Sequence, residues 1–355
     1  MSQLFSPLQI KDITFKNRIA VSPMCQYSSQ DGFANDWHLV HLGSKAVGGA
    51  GLILLEATGV SPEARITPDD LGIWKEDHLP ELKRIVSFLK SQGAVPGIQL
   101  AHAGRKASHR SPWKGGTALH PGEEGAWTTV APSALAFQEG GITPQALDEA
   151  GIQKVKDDFR AAAARSLEAG FQVVEIHAAH GYLLHQFYSP LSNHRTDQYG
   201  GSFDNRIRLL LEVVQSVQEV WPPHLPLLVR LSATDWTQGG WTVEDSVELA
   251  RRLKAQGVDL IDTSTGGNVP TAQIPAGPNY QVPFAEQIRK EAHILTGAVG
   301  IITQPGQAEE IIASGKADLV LIAREFLRDP HFPLHAAKAL GVDVAWPVQY
   351  ERAKR

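Results

Sequence analysis

Two histidines followed by a tyrosine form the chemically sharpest segment of this sequence. His177 and His180 stand three residues apart in the stretch HAAHGY, directly after an apolar, β-branched run, and Tyr182 ends the stretch. The imidazole N–H groups of such a pair can converge on one point and donate hydrogen bonds to a carbonyl or phenolate oxygen. Tyr182 adds a phenolic proton. Two alternatives stay open on the residues alone: a metal-binding pair without a clear third ligand, and side chains that only cap a loop or line its rim.

Two arginines predict an anionic ligand. Arg230 and Arg324 each end an apolar run, where a guanidinium must pair with a carboxylate or face a bound anion, because burying it unpaired is too costly. Gly297 and Gly300, before the last run, allow a ligand to approach the backbone closely. In an α/β barrel the loops after strands 7 and 8 commonly bind phosphate. Together these residues predict a phosphorylated ligand, with structural ion pairs as the alternative.

The elements that must position these residues follow a repeating pattern of apolar runs and amphipathic stretches. Runs rich in Val, Ile and Leu are typical of parallel strands covered by helices. They predict eight strands, over residues 18–24, 51–57, 95–101, 172–178, 225–231, 259–264, 294–299 and 318–324. Helices are predicted over 77–92, 145–169, 204–221 and 243–256, with Gly170 and Gly257 ending two of them in the left-handed conformation.

This order of elements predicts an α/β fold, a (β/α)8 TIM barrel, with its chemistry at the carboxyl ends of the strands. The alternative, an open doubly wound sheet, would usually carry a Gly-x-Gly-x-x-Gly turn after an early strand, and the sequence has none. The whole chain, 1–355, is interpreted as a single domain that ends in a C-terminal tail over residues 342–355.

One connection, residues 102–143, is too long and too rich in Gly, Pro, Ser and Trp to be a simple loop. It follows the third predicted strand, so we expect an extended capping insertion over the carboxyl face of the barrel. Trp113, Trp127 and Phe137 are predicted to anchor this cap.

Composition disfavours several classes of protein. Asp and Glu (38) outnumber Lys and Arg (33), and the net charge of −5 disfavours nucleic-acid binding. Cys25 is the only cysteine, which excludes an intrachain disulfide and a Cys-rich metal site. No apolar run approaches the ~18 residues of a membrane span. We therefore expect a cytoplasmic protein with no membrane and no nucleic-acid partner.

Taken together with longer motifs in the same order, these residues resemble the Old Yellow Enzyme family of flavin-dependent ene-reductases, in particular its bacterial xenobiotic-reductase branch. The resemblance covers almost the whole chain. It is carried by LFSP (4–7), NRI (17–19), SPMCQY (22–27), QLAHAGRK (99–106), HAAHGYL (177–183), SNHRTDQYGGS (192–202) and NR (205–206). The resemblance implies a barrel that binds FMN non-covalently and takes hydride from NADPH or NADH. It also implies ping-pong reduction of the C=C bond of activated alkenes: α,β-unsaturated carbonyls, maleimides and nitro compounds.

The resemblance also implies roles for individual residues. His177 and His180 would bind the substrate oxygen, Tyr182 would donate the proton, and Tyr27 would face the substrate; no metal is implied. Flavin contacts are implied for Ser22, Pro23, Met24, Cys25, Ala57, Gln99, Arg230, Ala323 and Arg324. Trp346 would form a wall of the substrate pocket, and Arg352 would reach the active site of a neighbouring subunit in a homodimer or homotetramer.

Two functions from other classes remain as alternatives. The first is a barrel lyase that uses His177 and His180 as metal ligands or Lys106 as a Schiff-base nucleophile. The second is a flavin-binding carrier or sensor that does not turn over.

Overall fold

Eight parallel strands close into a barrel in the computed structural model, which describes residues 2–354. The strands of the described residues, including two short pairs outside the barrel (β1 with β2, and β6 with β7), are β1 Leu8–Ile10, β2 Ile13–Phe15, β3 Ile19–Val21, β4 Leu52–Gly59, β5 Val95–Ala101, β6 Val130–Ala131, β7 Gln145–Ala146, β8 Val173–Ala178, β9 Leu227–Ser232, β10 Leu260–Ser264, β11 Leu295–Ala298 and β12 Leu319–Ile322. The barrel order is β3-β4-β5-β8-β9-β10-β11-β12, and β12 pairs back with β3. The predicted TIM barrel and its eight strands are confirmed, and each strand end lies within three residues of its predicted position.

Helices follow the barrel strands and cover them. They are α1 Asp36–Val47, α2 Leu79–Ser91, α3 Glu149–Ala169, α4 Leu183–Tyr188, α5 Phe203–Gln218, α6 Val243–Ala255, α7 Val282–Ala292, α8 Pro305–Ala313, α9 Arg324–Arg328 and α10 Phe332–Ala339. Gly170 and Gly257 follow α3 and α6 with φ of 91° and 93°, which confirms the predicted left-handed helix ends. Within residues 2–354, no helix combines the length and apolar character needed to cross a membrane.

Helix α3 begins at Glu149, which corrects the predicted helix over 145–169. Gln145 and Ala146 instead form β7 and pair with β6. The Asp148 side chain then accepts a hydrogen bond from the Gly151 N–H at 2.8 Å and caps the helix. Pairing with a distant strand therefore removes the first turn that the local pattern predicts.

The hairpin formed by β1 and β2 lies at the amino ends of the barrel strands. Lys11 in its turn forms an ion pair with Asp259 at 2.8 Å, and the Asp12 N–H donates to His224 O at 3.2 Å. Asp259 directly precedes β10, and His224 lies three residues before the start of β9. The carboxyl ends of the strands stay open for a site.

The long segment after β5 packs onto the carboxyl face through one of its predicted anchors, Trp127, whereas Phe137 packs within the segment. The Trp127 indole N–H donates to Glu63 O at 3.0 Å, and Phe137 lies 4.7 Å from the Lys106 ammonium. Arg105, which is buried, donates to Asn268 O at 2.7 Å and so joins this segment to the loop after β10.

Trp113 does not anchor the segment, which corrects the prediction made for it. It is 64% exposed on the 3₁₀ turn Pro112–Lys114, because Ser111 and Lys114 both bond to Asp69 and hold the turn outward. The Trp113 ring meets the ring of Tyr27 edge-on, with centroids 5.8 Å apart.

Candidate active site

A cavity of about 350 Å³ opens at the carboxyl face of the barrel. Ser22 follows β3, His180 follows β8, Arg230 lies near the end of β9 and Arg324 follows β12, and all four line the cavity. Closure of the barrel brings these strand ends together, although the residues are far apart in sequence. The predicted positions of the site residues on strand ends agree with this arrangement.

His177 presents one N–H group to the site. Its Nδ1 accepts a hydrogen bond from the Ala179 N–H at 3.2 Å, so the proton of the neutral ring is on Nε2. The side chain is buried, and burial together with the charge of Arg230 lowers its pKa well below the ordinary value. His177 is therefore a neutral hydrogen-bond donor at neutral pH.

His180 is held by a network that the motif alone did not predict. Its φ of 59° is left-handed, and its backbone N–H donates to the Ser232 hydroxyl at 2.9 Å. Its Nε2 lies 2.7 Å from the Ser264 hydroxyl, which accepts a hydrogen bond from Gln281 Nε2 at 3.1 Å. When the Ser264 hydroxyl donates its proton to His180 Nε2, the ring proton of the neutral imidazole is on Nδ1.

The three predicted catalytic rings cluster. The His177 centroid lies 5.1 Å from that of His180 and 5.0 Å from that of Tyr182, and all three rings meet edge to face. Burial, followed by the charge of Arg230, lowers the pKa of His180 well below its ordinary value. Burial raises the pKa of Tyr182 well above its ordinary value. The cluster therefore holds two neutral N–H donors and a protonated phenol.

Lys106 is the residue that joins this cluster to the long segment after β5. Its Nζ donates to His180 O at 2.9 Å and Gly267 O at 3.0 Å, and it lies 5.2 Å from the Tyr182 ring centroid. Burial lowers its pKa to about 8. Because its ammonium already bonds two carbonyl oxygens, the geometry does not favour Lys106 as a free nucleophile.

The loop after β3 forms a second wall. Pro23, Met24 and Cys25 are half-buried, and burial raises the pKa of the Cys25 thiol well above its ordinary value, with Asp70 and Glu56 adding to the shift. Cys25 is therefore a neutral thiol.

Tyr27 and Ala57 complete the wall beside Tyr182. Tyr27 lies in the left-handed region with a φ of 45°, and burial raises the pKa of its phenol. Ala57, on β4 at a register shift of the ladder with β5, lines a small adjoining cavity with Tyr182 and Asp70.

Arg230 stands among buried polar groups inside the barrel. Its Nη1 donates to the Ser22 hydroxyl at 3.3 Å, and its Nε lies 3.1 Å from Asp262 Oδ2. Gln99 Nε2 donates to Glu175 Oε1 at 2.8 Å. Gln99 and Arg230 are thus both fixed by carboxyl groups at 0% exposure.

The other end of the cavity fits a phosphate group. Within residues 2–354, the exposed Arg324 side chain has no hydrogen-bond or ion-pair partner. The backbone N–H groups of Gly300 and Ile301 likewise donate to no protein acceptor there, and Ala323 completes this part of the lining. An unpaired guanidinium beside free amides is the donor set that an anionic oxygen requires.

The structure does not bring Trp346 and Arg352 to this site within the chain. Trp346 lines a separate cavity of about 640 Å³ with Lys16 and Gln92, which precede β3 and β5 and so lie at the amino end of the barrel. Trp346 therefore lies away from this cavity in its own subunit, because the tail packs at the opposite end, and its role as a substrate-pocket wall stays a prediction. Arg352 is exposed, and its place in a neighbouring subunit's site stays a prediction.

Sequence reasoning missed the residues that support the site from behind. Ser264 and Gln281 fix His180, while Glu175 and Asp262 fix Gln99 and Arg230. The available signal was the position of Glu175 and Asp262: each follows apolar residues inside a buried strand, in VVEIHA and LIDTS, where an unpaired carboxylate would be costly.

Fold and site together define a TIM barrel whose carboxyl face carries an arginine-lined cavity that fits a phosphate group. Residues 3–342 match the NADH:flavin oxidoreductase / NADH oxidase family. The chain belongs to this family and is an FMN-dependent oxidoreductase, which confirms the resemblance to Old Yellow Enzyme.

Curated relatives match this chain over its whole length. The chain is 51% identical over 354 residues to NADPH dehydrogenase of Geobacillus thermodenitrificans, covering 99% of this chain and 98% of that one. It is 50% identical over 355 residues to NADPH dehydrogenase of Listeria monocytogenes, covering 99% of both chains.

Solved structures share the barrel. Morphinone reductase is 30% identical with a TM-score of 0.79, over 98% of this chain and 91% of that one. A 2-naphthoyl-CoA reductase complex is 26% identical with a TM-score of 0.85, over 96% of this chain. The match covers 52% of that longer reductase, so this chain spans about half of its length.

Proposed function

We propose that this chain is an ene-reductase, which reduces the C=C bond of activated alkenes with hydride from NADPH or NADH. Its substrate classes are α,β-unsaturated carbonyls, maleimides and nitro compounds. The observation that carries the proposal is the cluster of His177, His180 and Tyr182, whose ring centroids lie within 6.5 Å of one another beside the arginine-lined cavity. The names of its relatives, NADPH dehydrogenase and morphinone reductase, support the same chemistry.

The cavity residues support a binding mode for FMN. Ser22, Pro23, Met24, Cys25, Ala57, Gln99 and Arg230 would contact the ring system, and Ala323 and Arg324 the phosphate. When bound, FMN supplies the redox chemistry, accepting hydride from the nicotinamide and passing it to the alkene in alternating half-reactions.

His177 and His180 bind and polarise the substrate oxygen in this proposal. Negative charge develops on that oxygen when the β-carbon accepts hydride, and the two N–H donors stabilise it. Donors of this kind typically contribute ~2.7–4 kcal/mol to the barrier. Because both rings are neutral, they donate their hydrogen bonds without giving up a proton.

Tyr182 holds the proton that the α-carbon receives. Its raised pKa keeps the phenol protonated at neutral pH. Lys106, over its ring, fixes its position relative to the segment after β5. Tyr27 faces the substrate from the β3 loop.

The assembly is also a proposal: a single-domain chain, 1–355, with 102–143 as a cap, in a homodimer or homotetramer. The exposed Arg352 reaches the neighbouring subunit's site in this arrangement. We place the protein in the cytoplasm, where both nicotinamide donors are available.

The visible spectrum of the purified protein tests the proposal. The protein is expected to be yellow, to bleach with anaerobic NADPH or NADH, and to regain colour when an α,β-unsaturated ketone is added, with the saturated ketone as product. A yellow protein that neither donor bleaches would identify the carrier or sensor alternative. A colourless protein that does not take up added FMN would refute the proposal.

A further inference from the structure

Glu175 and Asp262 form a buried acid pair for which the proposed reaction has no use. Both carboxyl groups have 0% exposure. Glu175 lies on β8 and Asp262 on β10, on either side of Arg230 on β9. Two acidic side chains therefore face one guanidinium in a region that water does not reach.

The hydrogen bonds of this group do not balance when both carboxyls are ionised. Glu175 Oε2 and both Asp262 carboxyl oxygens have no hydrogen-bond donor, although Asp262 is ion-paired with Arg230 by distance. A buried unsatisfied polar atom costs ~1–3 kcal/mol, and more when charged. If Glu175 Oε2 carries a proton, its O–H can donate a hydrogen bond to a carboxylate oxygen of Asp262. Both oxygens then have a hydrogen-bond partner.

We propose that Glu175 and Asp262 hold a single proton between them, so that neutral Glu175 positions Gln99 while Asp262 alone compensates the charge of Arg230. Glu175 then accepts from Gln99 through Oε1 and donates to Asp262 through Oε2. The role toward the cofactor rests on the proposed function, in which Gln99 and Arg230 contact FMN.

The electrostatics of the pair agree with this geometry. Burial and the neighbouring Asp262 raise the pKa of Glu175, and burial also raises the pKa of Asp262, against the opposing charge of Arg230. The groups acting on the pair from adjacent strands are Gln99 and Arg230. Two like charges this close do not both ionise, and the acid without its own guanidinium contact keeps the proton.

The pH dependence of unfolding tests the proton without reference to activity. Unfolded glutamate ionises near ~4.3, whereas folded Glu175 stays protonated to higher pH. The contribution of Glu175 to the stability of the wild type is therefore lost as pH rises above about 5. E175Q is isosteric, keeps both hydrogen bonds and has no proton to lose. The unfolding constant of wild type relative to E175Q should rise about tenfold per pH unit from about pH 5 to 7. A ratio that stays constant over this range would overturn the proposal.

Infrared spectroscopy of the wild type provides a measurement that does not depend on a variant folding. Protein labelled with ¹³C at the glutamate carboxyl carbons should show a shifted C=O band of a protonated carboxyl at pH 7. The label separates this band from that of Asp70, whose pKa burial raises to about 7. Absence of a glutamate-derived protonated band would overturn the proposal.

The midpoint potential of bound FMN tests whether one or both of the two acids beside Arg230 are ionised. E175Q should leave the midpoint potential unchanged at pH 7, whereas E175Q/D262N should raise it, because Arg230 is then uncompensated. An equal rise in E175Q alone would mean that Glu175 is ionised and would contradict the proposal. If the protein binds no FMN, the proposed function fails, but the unfolding and infrared results still decide on the shared proton.

Discussion

Replacing His177 with alanine is expected to slow alkene reduction by about 10²–10³-fold while FMN stays bound. The Ala179 N–H occupies Nδ1, so the Nε2 proton is the one hydrogen bond that the ring can offer a substrate. The ring is 3% exposed, and it is neutral because burial and Arg230 lower its pKa. A donor in such a buried position is worth ~2.7–4 kcal/mol when charge develops on the oxygen it binds.

Single-turnover kinetics separate this effect from others. The enzyme is reduced anaerobically with NADPH, mixed with an α,β-unsaturated ketone, and followed by the return of flavin absorbance. The reduction step with NADPH should be affected much less, because no oxyanion develops on a substrate carbonyl in it.

His102 offers a matched control on the neighbouring strand. It is also 3% exposed at the end of a barrel strand, and its Nδ1 accepts a hydrogen bond from the N–H two residues ahead, Gly104, at 3.1 Å. It lines a different cavity, with Glu63 and Asp158. H102A should therefore keep the wild-type rate of alkene reduction. Equal rates for H177A and wild type, or equal losses in H177A and H102A, would refute the assigned role.

Three further predictions concern the support of the site. S264A should slow alkene reduction by up to about tenfold, since a neutral hydrogen bond is worth ~0.5–1.5 kcal/mol, and an unchanged single-turnover rate would show that Ser264 does not control the His180 tautomer. R324A should weaken FMN binding by about 10–100-fold, the effect of losing a charged hydrogen bond of ~1.5–3 kcal/mol, as measured by flavin fluorescence titration; an unchanged Kd would place the phosphate elsewhere. The imidazole ¹⁵N signals of His177 and His180 should not titrate between pH 5 and 8, because the pKa values of both rings lie well below the ordinary value; titration of either ring near pH 6.5 would contradict neutral donors throughout this range.

The barrel was predictable because its signals are local. Apolar runs and helix-ending glycines depend on residues close in sequence, and Gly170 adopts the conformation that its position predicts. The errors arise where distant residues decide. The local pattern predicts a helix at Gln145, but this residue pairs with Val130 in a β-ladder. The sequence predicts Trp113 as an anchor, but the bond between Lys114 and Asp69 holds its turn outward.

The site residues likewise fall into those that local sequence patterns predict and those that depend on contacts between distant residues. Residue patterns predict His177 and Arg230 as site residues, because both stand at the ends of apolar runs. Composition and spacing do not distinguish His177 from His102, which follows a similar strand but faces another cavity. The Ser264 hydrogen bond to His180 spans 84 positions, and such partners become visible only when the barrel closes.

The placement of charge links the two halves of the proposed reaction. Burial and Arg230 together hold both imidazoles in the neutral form, so the guanidinium proposed to contact the flavin ring also sets the state of the proposed substrate donors. A hydrogen bond from a neutral donor strengthens when negative charge develops on the substrate oxygen during the reaction. Such a donor therefore stabilises the transition state more than the bound substrate. The carboxylate of Asp262 compensates the positive charge of Arg230, whereas Arg324 has no acidic partner among residues 2–354. In the proposed function, fixed positive charge thus lies where the cofactor binds, and the neutral donors stabilise the charge that develops on the substrate oxygen in the transition state.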